Sequence, residues 1–185
     1  KLFAEYAVKQ CKLDWLILRP SAIYGPGFDA GFKQMVESVK KGAYKIIGSG
    51  ENHIALAYVD DVVNSFVLAL KALLANKVKK QDFIITGLPV TQKECFNLLA
   101  KQLHVKPPKK HAPKWLAYLY VFVHQLKSAL QGKKPSVFRE YVSVLAEDRV
   151  FSTKKAQKFL GWKPRVSLEQ GMRAYLKYLL GSEVK

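Results

Sequence analysis

Short apolar runs alternate with stretches of helical periodicity along the whole chain. Trp15 to Leu18 is an unbroken apolar run bounded by charged and turn residues, which predicts a strand buried on both faces. Gly25, Pro26 and Gly27 force a turn soon afterwards, so Ser21 to Tyr24 stand at the carboxyl end of that strand, the place where open parallel sheets bind ligands. Upstream, Leu2, Phe3, Tyr6, Ala7 and Cys11 share one face of a helix over Lys1 to Lys12. Downstream, Gly31 to Lys41 reads as an amphipathic helix with Phe32, Met35, Val36 and Val39 on one side, closed by Gly42. Tyr44 to Ile47 and Ile54 to Val59 read as strands. Asp60 and Asp61 then cap a helix from Val62 to Ala75, whose Val62, Val63, Phe66, Val67, Leu70 and Leu74 form a broad apolar stripe. Adjacent residues on a helix do not face each other, so the two aspartates read as a cap and not as an acid pair.

The second half continues the alternation. Phe83 to Thr86 is a strand, Gly87 to Val90 a turn, and Thr91 with Glu94 makes a capping box for a helix from Gln92 to Leu103. Lys106 to Lys114, rich in Pro and Lys, reads as a loop before a helix from Trp115 to Leu130. Its run WLAYLYVFV, Trp115 to Val123, is nine residues long, well short of the roughly 20 that span a bilayer. Three roles stay open for it: plain core, the wall of a substrate cavity, or a helix lying in a membrane interface with Lys109, Lys110, Lys114 and Lys127 at its flanks. Arg149 to Phe151 is extended, Ser152 caps a helix from Thr153 to Leu160, Gly161 ends it, and Trp162 to Pro164 turns. Ser167 and Gln170 form a second capping box for Leu168 to Leu180, which points Met172, Tyr175, Leu176 and Leu179 inward.

Composition changes this picture little. With 185 residues, 49% of them hydrophobic, the chain supports a folded domain with a sizeable core. Its net charge of +17 invites nucleic acid or an anionic membrane. The cations are mostly lysines scattered through every segment, however, whereas phosphate and base recognition favours the arginine fork, so nucleic acid is not expected as a partner. Cys11 and Cys95 stand apart without a disulfide-like pattern, which makes a reducing cytoplasm the default compartment, with membrane association open through the Trp115 segment. The four histidines lack ligand-like spacing, and no metal is assigned. Gly48 to His53, GSGENH, has neither a third glycine nor a helix directly behind it, so it is weak evidence for a phosphate cradle.

Four motifs in order carry a resemblance that covers essentially the whole chain. Lys1, Leu2 and Glu5 match the Lys-Leu-x-x-Glu with which a helix opened by a Tyr-x-x-x-Lys motif continues, and Leu18, Arg19, Pro20, Ile23, Tyr24, Gly25, Pro26 and Gly27 match the strand and turn that follow it. GSGEN with YVDDVV, and the closing stretch from Phe151 to Gly171, match two later segments. The sequence resembles the extended short-chain dehydrogenase/reductases, or NAD-dependent epimerase/dehydratase family, nearest the branch with 3β-hydroxysteroid dehydrogenases and dihydroflavonol reductases. The resemblance implies an α/β fold: the carboxyl-terminal part of a Rossmann-type doubly wound sheet plus a small, mostly helical substrate-binding domain. Residues 1–30 would end the Rossmann domain, and 31–185 would be mainly substrate-binding, with 54–90 returning partly to the Rossmann core. The match places the first residue on the motif's lysine. The chain is therefore read as part of a longer protein whose amino-terminal, dinucleotide-binding half, including the motif's tyrosine, is its missing partner and would otherwise cover exposed apolar surface.

The resemblance further implies NAD or NADP as cofactor and a small-molecule substrate. Lys1 would hold the nicotinamide ribose and lower the tyrosine's pKa, and Pro20, Ser21 and Ile23 would meet the nicotinamide. Tyr24, Phe28, Ile47 and His53 would line the substrate side, and Arg19 would anchor its strand. Relatives that dimerise through the helix opened by Lys1 suggest a homodimer. Nucleotide-sugar enzymes of the family place an arginine where this chain has His53, Ile54 and Ala55, so a less polar hydroxyl or keto substrate is expected for the oxidoreductase, while the fragment alone would be inactive. A nucleotide-sugar epimerase or dehydratase, and a non-catalytic basic module for anionic lipid or nucleic acid, are the alternatives.

Overall fold

The computed structural model describes residues 1–28, 32–135 and 139–181, with Tyr141 described by its backbone. Strand β1 (Leu16–Pro20) pairs in parallel with β6 (Gln81–Ile85), Leu18 opposite Phe83 and Pro20 opposite Ile85. Strand β2 (Ala22–Tyr24) pairs in parallel with β5 (Leu56–Tyr58). A single residue separates the two pairings: the Ser21 N–H donates to the Ile85 carbonyl at 2.9 Å, and the Ala22 N–H to the Ala55 carbonyl at 3.3 Å. Parallel strands require a crossover, and helix α3 (Val59–Leu74), packed on β1, β2 and β5, carries the chain from β5 to β6. Two minor pairs complete the strands described: β3 (Ile46–Ile47) runs parallel to β8 (His111–Ala112), and β4 (His53–Ile54) antiparallel to β7 (Val90–Thr91).

The remaining helices are α1 (Leu2–Gln10), α2 (Phe32–Lys40), α4 (Gln92–Gln102), α5 (Lys114–Leu130), α6 (Arg139–Ala146), α7 (Lys154–Leu160) and α8 (Leu168–Leu180). Gly31, the expected start of α2, lies outside the described residues. One core gathers α2, α4 and α8 around Tyr24, Ile54 and Leu56, with Val36, Val39, Phe96, Leu99, Met172 and Tyr175 buried in it. A second places α3 and α7 against β1 and β6, with Phe83, Ile85, Leu160 and Trp162 at its centre. Each such side chain contributes on the order of 2 kcal/mol through removal from water.

Several expectations need correction. Strand β1 begins at Leu16, is half-buried and leaves Arg19 exposed, where burial on both faces was expected. Glu5 and Asp82 draw the Arg19 guanidinium outward, at 2.6 and 2.9 Å. The expected strand Ile54 to Val59 breaks into β4 and β5, and Val59 already begins α3. The lysine-rich loop contains β8, because the Ile46 and Gly48 N–H groups reach the carbonyls of Lys110 and Ala112. Thr153, without a side-chain cap bond, precedes α7; the Ser152 hydroxyl accepts from the Lys154 N–H instead.

The apolar stripes of two helices turn out not to be core. Helix α3 turns Val62, Ser65 and Ala69 inward and leaves Val63, Phe66, Val67, Leu70 and Leu74 in solvent, Phe66 at 56%. Small residues let α3 approach the strands closely, so its bulky side must face away from them. Helix α1 buries none of its residues, and Phe3 is 88% exposed.

Both expected capping boxes form. At α4 the Glu94 N–H donates to the Thr91 hydroxyl at 3.1 Å, and the Thr91 N–H donates to the Glu94 carboxylate at 2.8 Å. Those bonds, led by the Thr91 backbone N–H, hold the Glu94 carboxyl below its ordinary value. Its stabilising contribution is thus present above the unfolded-state pKa and lost as pH falls through the folded one. Thr91→Ala is expected to cost about 1 kcal/mol near neutral pH, measured by urea denaturation, and less in acid.

Candidate functional site

The chain's one-residue step between strand partners places Ser21 at the carboxyl ends of β1 and β6. Its hydroxyl donates to the Thr86 hydroxyl at 2.9 Å, and Thr86 donates to the Leu56 carbonyl at 3.5 Å. A hydroxyl oxygen that has donated its proton keeps acceptor capacity, so Ser21 can still receive a bond. Gly87 follows at close quarters: its N–H donates to the Leu56 carbonyl at 2.7 Å, and a Cβ there would stand 2.7 Å from the same oxygen. No side chain larger than hydrogen fits without movement, which keeps the strand ends open.

Beside this step lies a cavity of about 280 Å³ bordered by Tyr24, Tyr58, Leu88, Val90, Glu94 and Val166, among others. Tyr24 is 3% exposed, stacked on Phe32 with ring centroids 5.8 Å apart and edge-on to Tyr58 at 5.5 Å. Desolvation raises the pKa of both phenols, so each stays neutral. The walls are mainly apolar and aromatic, with carboxylates at Asp61 and Glu94.

The sequence-derived site residues fall into separate groups. Pro20, Ser21, Ile23 and Tyr24 follow one another through β1 and β2, with Ile23 packed toward the second core. Ile47 and His53 stand instead near the amino end of α4, Ile47 bonded to Gln92 and His53 paired with Thr91. There buried Gln92 accepts the Ile47 N–H at 2.8 Å and donates to the carbonyls of Ile47 and Leu145. The His53 N–H donates to Asp148 at 2.6 Å, and the His53 ring nitrogen Nδ1 stands 2.9 Å from the same carboxylate oxygen. These bonds hold the Asp148 carboxyl below its ordinary value. Phe28 sits on the exposed turn, its N–H donating to Gly25 at 3.2 Å. Lys1 is exposed at the start of α1, its carbonyl accepting from Glu5 at 3.0 Å. Of the four residues expected on the substrate side, Tyr24 borders the cavity; Phe28, Ile47 and His53 stand elsewhere.

Asp60 and Asp61 do not cap α3. Tyr58 precedes the helix, and both aspartates lie in its first turn. Asp61 is buried and reaches across the fold: its carboxylate accepts the Arg165 and Val166 N–H groups at 3.1 Å, while its carbonyl accepts the Trp162 indole N–H at 2.9 Å. Sequence reasoning missed this clamp, and also Tyr58, Thr86 and Gln92. The signal available for Asp61 was its place one residue after an exposed twin, at a position where helical period turns inward. Among the described residues, no three His, Cys, Asp or Glu side chains gather as a metal site would need.

Parallel strand pairs joined by a helical crossover, with a hydroxyl pair and a cavity at their carboxyl ends, define a Rossmann-like α/β protein. The chain belongs to the 3-beta hydroxysteroid dehydrogenase/isomerase family, whose model matches residues 6–113. It is 31% identical over 155 residues to short-chain dehydrogenase/reductase family 42E member 1 of Bos taurus, covering 79% of this chain and 39% of that protein. It is also 31% identical over 167 residues to 3beta-hydroxysteroid-dehydrogenase/decarboxylase isoform 1 of Arabidopsis thaliana, covering 84% of this chain and 38% of that one. In fold it resembles UDP-glucuronic acid 4-epimerase from Bacillus cereus, solved with UDP-glucuronic acid and NAD, with a TM-score of 0.66 at 18% identity, covering 97% of this chain and 49% of that one. The chain thus spans about two fifths of the length of these curated relatives.

Proposed function

We propose that this chain is the substrate-side part of an NAD(P)-dependent oxidoreductase acting on a hydroxyl or keto carbon of a small, relatively apolar molecule. Membership of the family carries the reading, and the geometry at Ser21 supports it. The residues present fit the nicotinamide end of a dinucleotide. Ser21 and Thr86 would offer acceptor oxygens to the carboxamide, Pro20 and Ile23 would present backbone, and Gly87 would leave room beside them. The cofactor, when bound, supplies the hydride chemistry. The protein's own groups orient substrate and exclude water: the Tyr24 and Tyr58 rings and Leu88 form a wall on which an apolar skeleton can rest. Lys1 would carry a positive charge to the reacting phenol's side, favouring phenolate there. The adenosine end has no residues assigned to it here and would belong to a further part of the protein, packed on the uncovered faces of α1 and α3.

Calorimetric titration of the whole protein with NAD(H) and NADP(H), with the 185-residue chain alongside, tests the reading. Binding by the whole protein, and loss of about tenfold or more in the chain, is the expected result, since most dinucleotide contacts lie in the other half of such folds. Silence from both would overturn it. A response to UDP-sugars in place of apolar ketones would move the substrate class to nucleotide sugars.

A further inference from the structure

The cavity beside Ser21 has a charge opposite to that of the chain around it. Lys and Arg number 31 against 14 Asp and Glu, yet among the described residues no lysine, arginine or histidine borders the cavity, while Asp61 and Glu94 do. Its other polar groups are mostly spent. Asp61 is buried, and its carboxylate accepts the Arg165 and Val166 N–H groups. The Ser167 hydroxyl donates to the Gln170 side-chain oxygen at 3.1 Å and accepts the Gln170 N–H at 3.2 Å. The Tyr24 and Tyr58 phenols stay neutral, and a neutral phenol can donate or accept, so neither selects the polarity of a ligand.

Glu94 differs from all of these. One carboxylate oxygen, Oε2, takes both bonds from the cap residue, the Thr91 N–H at 2.8 Å and the Thr91 hydroxyl at 2.9 Å. The other, Oε1, receives no bond among the described residues. Thr91, with His53 adding to the effect, holds the carboxyl below its ordinary value, so the group is ionised at neutral pH. Half of its acceptor capacity is thus left over at the edge of the cavity. An ionised acceptor strengthens a bond from a neutral O–H donor and repels an anion. The apolar walls disfavour an ammonium, whose desolvation costs far more than that of a hydroxyl. Gly87 borders the same cavity next to Thr86 and Ser21, where the reacting carbon would lie. We infer that Glu94 is a specificity-determining residue whose Oε1 accepts a hydrogen bond from a second hydroxyl of the substrate, so that the site takes uncharged, hydroxylated molecules and rejects carboxylates and phosphates. The inference rests on the proposed function, because it takes this cavity to be the substrate's.

Three bicyclic ketones test it: decalones carrying a hydroxyl, a methyl ether or a carboxylate on the ring carbon farthest from the ketone. Calorimetric titration of the whole protein is expected to show the hydroxyl compound binding about tenfold or more tighter than the ether, and about a hundredfold tighter than the carboxylate. Glu94→Gln keeps the cap, because the glutamine carbonyl oxygen accepts the Thr91 N–H, and sets an amide donor where Oε1 stood. In that variant the preference for hydroxyl over ether is expected to fall below about threefold, and the carboxylate to gain about tenfold. Glu37→Gln, at an exposed position on α2, removes the same charge and is expected to leave both preferences unchanged. The same preferences in Glu94→Gln and the unsubstituted protein, or binding of none of the three ketones, would overturn the inference. Titration of the same samples with NAD(H) separates it from the reading beneath it. Cofactor binding without hydroxyl preference overturns the role of Glu94 alone; hydroxyl preference that depends on Glu94, without cofactor binding, supports that role and overturns the oxidoreductase.

Discussion

Asp61→Ala is expected to lower the stability of the chain by about 3 kcal/mol, among the larger effects of any single polar substitution in it. Asp61 is 5% exposed, and its carboxylate is the acceptor for two backbone N–H groups, Arg165 and Val166, at 3.1 Å. Bonds to a charged acceptor contribute about 1.5–3 kcal/mol each, and removing the acceptor leaves two part-buried donors without it. The clamp joins α3 to the segment that leads into α8, so its loss frees one edge of each core. Asp61→Asn keeps one carbonyl oxygen and is expected to cost about half as much. Asp60→Ala, at the exposed twin, is expected to change stability by less than about 0.5 kcal/mol. Urea denaturation of the three variants decides the matter. Equal losses at Asp60 and Asp61 would mean that helix-terminal charge, and not the clamp, is what matters.

Gly171→Ala is expected to destabilise by about 2 kcal/mol, against the sign that helix propensity gives. Gly171 lies inside α8, where alanine in place of glycine normally adds about 1 kcal/mol of stability. A Cβ there would stand 2.5 Å from the Tyr24 hydroxyl and 2.8 Å from the Tyr58 ring. Neither ring can retreat easily: Tyr24 is held between Phe32 and Tyr58, and both tyrosines are buried. Thermal melting reads the outcome, with a fall of about 4–8 °C expected for a chain of this size. Because both rings border the cavity, the same substitution is expected to weaken any ligand it takes. A rise in melting temperature would show that the rings do yield.

These two positions show how the cavity is tied to the fold. Tyr24 and Tyr58 meet Gly171 on one side and the cavity on the other, and Asp61 fixes the segment carrying Val166 to the cavity's edge. The closing segment is thus part of the candidate site, not a tail behind it.

Local pattern was enough for the α/β class, for α2 and α8 with their inward residues, and for both capping boxes. Each depends on residues within one or two turns of one another: Thr91 with Glu94, Ser167 with Gln170, and Gly161 in a left-handed conformation at φ 63°. The turn after Tyr24 was legible in Gly25, Pro26 and Gly27, whereas the salt links of Arg19 to Glu5 and Asp82 and the change of strand partner at Ser21 were not. The order of motifs carried the family.

Partners distant in the chain were decided by tertiary structure alone. Asp61 reads as a cap until Arg165 and Val166, more than a hundred residues on, take its carboxylate. His53 reads as one of four substrate-side residues until Asp148 meets its backbone and its ring. The apolar stripes on α1, α3 and α5 show that a face is apolar but not what covers it; the close-packing side of α3 is its small-residue side. Sequence alone determined most of the helices and both capping boxes, because those follow from forces acting over a few residues, but not α6, β8 or the break between β4 and β5. Which of their faces meet, and therefore where the cavity lies, depends on pairings across the whole chain that only the folded structure contains.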